Sequence, residues 1–267
     1  MKVLHLISVL APSGAEQSTM AMAPILAELG VDLEVAYLHE RPGAKEFLTR
    51  VGLPATSLVG GGGPVARFAR TLNLVRSLQP DLIHTSLTEA NLLGRAIGTI
   101  SRIPVVSSLV NVSYGPEQLD APDRSRLSIR VRHGADIATA RLVTRFHAVT
   151  HEVADVMAPR LHVPRSRIEV VPRGRSAEAL GCRSPERRQR TREALGIRPG
   201  TVMVLAAARQ EYQKGLDVLI EAMPSVLRAK PDVRLIVAGR TGLHTPVLQG
   251  AVERLRLSEG VEFLGLR

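Results

Sequence analysis

Continuously apolar runs alternate with amphipathic helical patterns along almost the whole chain, and this alternation limits the fold more than any other feature. Runs at 3–9, 33–37, 81–85, 105–109, 145–149, 168–171, 202–206, 233–238 and 261–264 read as strands. Segments 16–29, 64–78, 90–101, 123–142, 151–160, 215–229 and 246–255 read as helices, with stops at Gly30, Pro80 and Pro231. A strand that is apolar throughout, rather than at alternate positions, is buried on both faces. That predicts parallel sheets covered by helices. Strand and helix in regular succession make the class α/β.

The rhythm breaks at residues 172–200, where Gly, Pro, Ser and Arg dominate and only a short helix near 185–195 fits. The expected organisation is therefore a first Rossmann-like domain over 1–172, a connection over 173–200 and a second Rossmann-like domain over 201–267. The second has only about three strands, so it is expected to be incomplete. The chain has 267 residues and no Trp, so the core must be built from Leu, Val, Ile and Ala. The formal net charge is +10, carried mostly by Arg, with lysines only at 2, 45, 214 and 230. Such a surface attracts phosphates or acidic lipids. The lone Cys182 excludes an internal disulfide and a multi-cysteine metal site, and suits a reducing, cytoplasmic setting. His5 and Ser8 interrupt the apolar start, which reads as a buried strand rather than a secretion signal. No run reaches the ~18 apolar residues of a membrane helix.

In open α/β sheets ligands gather at the carboxyl ends of the strands, so the loops that follow strands hold the candidate chemistry. After the first strand, Ser13 and Gly14 lead into a helix whose free N–H groups favour an anion; an N-capping turn explains them equally. His84 is expected at the end of its strand, facing a cleft or buried as a structural histidine. Asn111, after the 105–109 strand, can donate and accept hydrogen bonds with a hydroxyl-rich ligand, or simply form a turn. The glycine run at 60–63 lacks the Lys-Ser/Thr of a phosphate loop, and the HEVAD stretch at His151 lacks a second metal-binding His. Finally, Arg209 and Lys214 flank the loop between the 202–206 strand and a helix fixed by the stripe Leu216, Leu219, Ile220, Met223 and Leu227. A phosphate there would meet two cations and the positive end of a helix dipole.

RQEYQKGLDVLIEA followed by VRLIVAGRTG resembles the second domain of the family 4 glycosyltransferases, which have the GT-B fold. LHLISVLAPSGAEQST is similar to that family's opening strand and glycine loop, with Ser13 for the first glycine. PDLIHTSLTEANLLGRAIG, RFHAVTHEVADVM and RIEVVPRGR resemble further stretches in order, with Arg173 replacing an Asn. The resemblance implies a first domain that binds the acceptor and a second that binds a nucleotide-diphosphate sugar, with transfer that retains anomeric configuration. It implies no metal or other cofactor. Arg209 and Lys214 match the residues that hold the leaving diphosphate, Gly14 and Gly239 belong to donor-phosphate binding, and His84 and Asn111 fall on the acceptor and sugar side. Implied partners are the donor and a saccharide, lipid-linked or small-molecule acceptor, without nucleic acid. The charge adds peripheral contact with an anionic membrane at the inner surface.

Two departures qualify this resemblance. Val110, beside Asn111, stands where the family commonly has a His. The family's Glu-x7-Glu motif has no counterpart after the 261–264 strand; Glu178 and Glu186 have that spacing but lie in the connection. The expectation is a C-terminally truncated chain that needs a complementing segment for activity. The alternatives are a non-catalytic, partner-dependent nucleotide-sugar-binding module and a nucleotide-sugar epimerase.

Overall fold

The computed structural model describes residues 1–11, 14–44, 46, 55–119, 125–175 and 177–266. Two compact units appear, one from Met1 to Ala179 apart from residues 117–124, and one containing Leu180–Arg267.

The first unit is built on β1 (Lys2–Leu10), β2 (Asp32–Glu40), β3 (Ala55–Ser57), β4 (Leu82–Ser86), β5 (Val105–Leu109), β6 (Arg145–Ala148) and β7 (Ile168–Val170). All pair in parallel, in the order β3-β2-β1-β4-β5-β6-β7. The chain order reverses between β1 and β4, which opens a crevice at their carboxyl ends. Helices α1 (Gly14–Glu28), α2 (Gly63–Leu78), α3 (Thr88–Ser101), α4 (Arg126–Ala140) and α5 (His151–Arg160) supply the crossovers. The apolar runs are apolar because the sheet is covered: six consecutive residues of β1, Val3–Ser8, are buried. Leu4, Leu6, Ala36, Leu38, Ile83 and Val105 meet Val75 of α2 and Ala90 and Ile97 of α3. Phe146 and Ala148 meet Val153, Ala154 and Met157 of α5. Each large side chain so buried contributes ~1.5–3 kcal/mol. On α3, Gly94 and Gly98 let the helix lie against the sheet, since a Cβ there would come within 2.4 Å of Thr85 and 2.3 Å of Val105 respectively.

The sequence missed β3, a three-residue edge strand too short to form a recognisable run. The expected helix at 123–142 is α4; positions 123 and 124 lie outside the described residues. Ser125 starts α4 by accepting from the Ser128 N–H through its hydroxyl.

The second unit holds α6 (Pro185–Ala194), β8 (Val202–Ala207), α7 (Leu216–Ala229), β9 (Val233–Ala238), α8 (Thr245–Arg254) and β10 (Val261–Gly265). Its strands are parallel in the order β10-β9-β8. The unit break falls inside the stretch 173–200 expected to be a connection. The second half of that stretch is built into the unit: Ile197 is buried, and Arg192 donates to the carbonyls of Arg198 and Thr201. β8 reads as a buried strand but lies at the sheet edge, leaving Val202 and Leu205 exposed. Helix α7 buries Leu216, Ile220 and Met223 of the expected stripe.

One buried charge cluster holds α3, α4 and β5 together. The Arg95 side chain has no exposed surface and pairs with Asp136. Arg95 also donates to Ser107 Oγ at 3.1 Å and Thr139 Oγ1 at 3.1 Å. The Tyr114 hydroxyl donates to the second Asp136 oxygen at 2.7 Å. Removing one partner strands the other charge in the core, which costs about 3–5 kcal/mol. Arg95→Met is therefore expected to lower the urea midpoint strongly, and Arg95→Met combined with Asp136→Leu to lower it less. Far-ultraviolet circular dichroism during urea unfolding checks both.

Candidate functional site

In the second unit, the carboxyl ends of the three strands are laced together. Ala208 N–H donates to the Ala238 carbonyl at 2.9 Å, and Gly239 N–H donates to the Gly265 carbonyl at 2.8 Å. Gly239 has φ 157°, and a Cβ there would lie 1.9 Å from the Ala208 carbonyl oxygen. Only glycine allows the two loops so close. Arg209 comes two residues after the end of β8. Lys214 closes a 3-10 turn, Tyr212–Lys214, within the stretch that the sequence reads as loop. Gly215 follows in the left-handed conformation, φ 61°, as the N-cap of α7. No side chain caps this helix start, so its first N–H groups and dipole face outward beside Lys214. Lys214 is exposed, and the Arg209 guanidinium lies 3.8 Å from the Glu211 carboxylate. Asp217 adds a second carboxylate in the first turn of α7. The site is thus mixed in charge, with its cations on the loop ahead of the helix.

In the first unit, Gly14 is the first residue of α1, while Ser13 lies outside the described residues. Sequence reasoning did not single out Arg175. Its guanidinium donates to the Gly14 carbonyl at 3.3 Å and to Ser18 Oγ at 2.9 Å. The PRGR stretch carried the only signal for it, two cations directly after β7. Asn111 is exposed on the loop after β5. That loop is fixed by its neighbours: Arg160 donates to the Ser113 carbonyl at 2.6 Å, and Tyr114 stacks on His133 with ring centres 4.3 Å apart. Burial, and then the Asp136 carboxylate, push the Tyr114 phenol well above its usual range.

His84 requires a correction. It is the third residue of β4, not the last, with Thr85 and Ser86 following. Its ring stacks on the buried His5 at 4.3 Å and meets His147 edge-on at 6.4 Å. With neutral rings one proton arrangement fits the contacts: His84 Nε2 donates to Ser108 Oγ at 2.7 Å, Ser108 donates to His147 Nδ1 at 3.0 Å, and His147 Nε2 donates to the Val171 carbonyl at 2.9 Å. This polar chain crosses β4, β5 and β6. His5 Nε2 separately contacts Ser86 Oγ at 2.9 Å.

Glu178 and Glu186, spaced like the family's glutamate pair, fall in different units. A groove of about 640 Å³, lined in part by Arg187, Arg188, Thr191 and Met203, lies at the amino end of β8, opposite the Arg209–Lys214 loop. Among the described residues no group of three or more His, Cys, Asp or Glu is arranged to hold a metal ion. Among them, too, no helix is long and apolar enough to cross a membrane.

Two units, each a parallel sheet with helical crossovers, define a protein of the GT-B class. The chain belongs to glycosyltransferase family 4: that family's model, described as Glycosyltransferase Family 4, matches residues 12–179, and a second, Glycosyl transferases group 1, matches 187–267. A D-inositol 3-phosphate glycosyltransferase from Segniliparus rotundus is 37% identical over 98 residues, 36% of this chain and 21% of that protein. An alpha-monoglucosyldiacylglycerol synthase from Streptococcus pneumoniae is 26% identical over 212 residues, 74% of this chain and 45% of its own length. The crystal structure of HepE from Anabaena in complex with UDP-glucose superposes with a TM-score of 0.81 at 22% identity, covering 100% of this chain and 69% of that one. The chain therefore spans about half or less of these two curated relatives.

Burial, and then the charge of His147, lower the His84 pKa from 6.5 to about 4. The unfolded chain takes up this proton first as pH falls, so stability is lost between about pH 6.5 and 4. Burial lowers His5 in the same direction. His84→Asn is expected to flatten part of that loss, as read from urea midpoints across the window.

Proposed function

We propose that the chain carries the acceptor-side unit and the phosphate-binding part of the donor unit of a retaining glycosyltransferase that uses a nucleotide-diphosphate sugar. The observation that carries this reading is the loop between β8 and α7, with Arg209, Lys214 and an uncapped helix N-terminus. In the transfer, the bond between the anomeric carbon and the β-phosphate oxygen breaks and the diphosphate takes the electron pair. The acceptor oxygen bonds to the anomeric carbon, and its proton passes to an oxygen of the departing diphosphate. Charge develops on the β-phosphate, and fixed cations beside it lower the barrier. Gly14, with Arg175 bonded to its carbonyl, belongs to the phosphate side of the first unit. Asn111, exposed on a braced loop, suits hydrogen bonding to the acceptor or sugar. His84, whose Nε2 is engaged by Ser108, is given no chemical role.

The acceptor is a hydroxyl group on a saccharide, a small molecule or a lipid-linked molecule; the diacylglycerol named in one relative supports the last. Helix α4 supports peripheral contact with an anionic membrane. Leu127 and Val131 are 72% and 65% exposed, one turn apart, among Arg126, Arg130 and Arg132. An acidic surface would attract these cations while covering the apolar pair.

Calorimetric titration of UDP, GDP and ADP into the 267-residue chain tests the reading. Weak binding of at least one is expected. Arg209→Ala/Lys214→Ala should weaken it by at least tenfold, since each charge-assisted hydrogen bond contributes ~1.5–3 kcal/mol. Equal affinity in wild type and double variant rejects the reading. In an enzyme active in transfer, Lys214→Ala is expected to lower kcat by about 10²–10³.

The membrane contact predicts salt-sensitive binding to acidic liposomes, reduced by Leu127→Ser/Val131→Ser. Equal sedimentation with neutral and acidic vesicles at low salt counts against it.

A further inference from the structure

Gln210 sits between the two proposed phosphate-site cations in sequence, yet it is 1% exposed. A buried side-chain amide is costly unless its donors and acceptors are met, and here both ends are met by a different loop. Gln210 Nε2 donates to the Gly239 carbonyl at 3.2 Å, and Gln210 Oε1 accepts from Thr245 Oγ1 at 2.9 Å. Its backbone N–H donates to the Arg240 carbonyl at 3.1 Å. Thr245 Oγ1 in turn accepts from the Gly242 N–H at 2.9 Å. A Cβ on Gly242 would lie 2.5 Å from the Gln210 carbonyl oxygen, so the two loops meet backbone to backbone. A second contact joins the same loops: the Tyr212 ring meets the His244 ring edge-on at 5.5 Å. His244 is 8% exposed and its Nε2 has no hydrogen-bond partner; the nearest charge is Asp217, 3.9 Å away on α7.

We propose that Gln210 is a positioning residue that ties the loop after β8 to the loop after β9 and so holds Arg209 and Lys214 in the geometry that binds a diphosphate. Two long cationic side chains lose freedom on gripping a ligand. A loop fixed at its middle by buried bonds has already lost its backbone freedom, which leaves more of the interaction for binding. A free loop would keep both cations but spread their positions. This inference rests on the reading of the 209–215 loop as a diphosphate site.

The probe is inorganic pyrophosphate, titrated calorimetrically into the 267-residue chain. Gln210→Leu keeps the side chain's bulk and removes both bonds, and is expected to weaken binding about tenfold, the net contribution of one or two hydrogen bonds. Thr245→Val, a milder change, should weaken it in the same direction, and Thr245→Ser should restore it. A double-mutant cycle separates positioning from plain stability. In a Lys214→Ala background, Gln210→Leu should cause a smaller loss than in wild type, because one of the two cations it positions is gone. Amide hydrogen exchange should speed up in residues 209–215 and 239–245 together while β9 stays protected. Unchanged pyrophosphate affinity in Gln210→Leu, a full tenfold loss in the Lys214→Ala background, or unchanged exchange would each overturn the proposal. If wild type binds no pyrophosphate and Lys214→Ala makes no difference, the phosphate-site reading fails and the positioning role falls with it. Wild-type binding that depends on Lys214 but not on Gln210 overturns the positioning role alone.

Discussion

Within each sheet every strand runs parallel to its neighbours, and this constraint organises each unit. Parallel strands cannot be joined by tight hairpins, so they are linked by crossover connections, most of them helical among the described residues. Each strand then ends on the same edge of its sheet. Asn111, Arg209 and Gly239 sit on loops leaving such ends, and Gly14 opens the helix that follows β1, although they are far apart in sequence. Loops at such an edge can expose polar and charged residues to water, because the covered strands behind them supply the core.

The polar groups inside that core have two different fates. Arg95, Asp136, Ser107, Thr139 and Tyr114 form a cluster in which an ion pair is buried together with hydrogen bonds. It links three elements and the loop that carries Asn111, so a structural charge pair sits directly behind a candidate binding loop. The histidines of β1, β4 and β6 are satisfied differently. Each contacts a serine hydroxyl, and burial together with the neighbouring histidines depresses the pKa values of His5 and His84. The sequence allows a histidine in a strand that precedes a candidate loop to be chemical or structural, and in the fold His84 bonds across strands to Ser108.

The two units differ in how completely their sheets are covered. β1 lies third in a seven-stranded sheet and is buried almost throughout, whereas β8 has a partner on one side only and exposes Val202 and Leu205. Both strands have the same apolar character in sequence. An unpaired, partly apolar parallel edge invites further pairing, and the exposed faces of β8 belong to the same unit as the loop proposed to hold phosphate.

The sequence alone determined the element order, the α/β class, the parallel pairing and the loops worth inspecting. These depend on local patterns: a run of apolar residues, a helical stripe, a glycine or proline stop. It placed β5, α5 and β9 at their observed ends, and it put Arg209 and Lys214 between β8 and α7, where they lie. The three-residue β3 was invisible because its only support is pairing with β2. Tertiary structure alone decided the rest. Gln210 reads as one more polar loop residue, and its burial follows only because β8 and β9 bring Gly239 and Thr245 beside it. Arg175 contacts Gly14 only because β7 and β1 end on the same edge. The sequence leaves His84 open between facing a cleft and being buried, and its contact with Ser108, 24 residues on, exists only in the folded sheet. Backbone pattern is written in neighbours along the chain, whereas the satisfaction of a buried polar group depends on partners that only folding brings near.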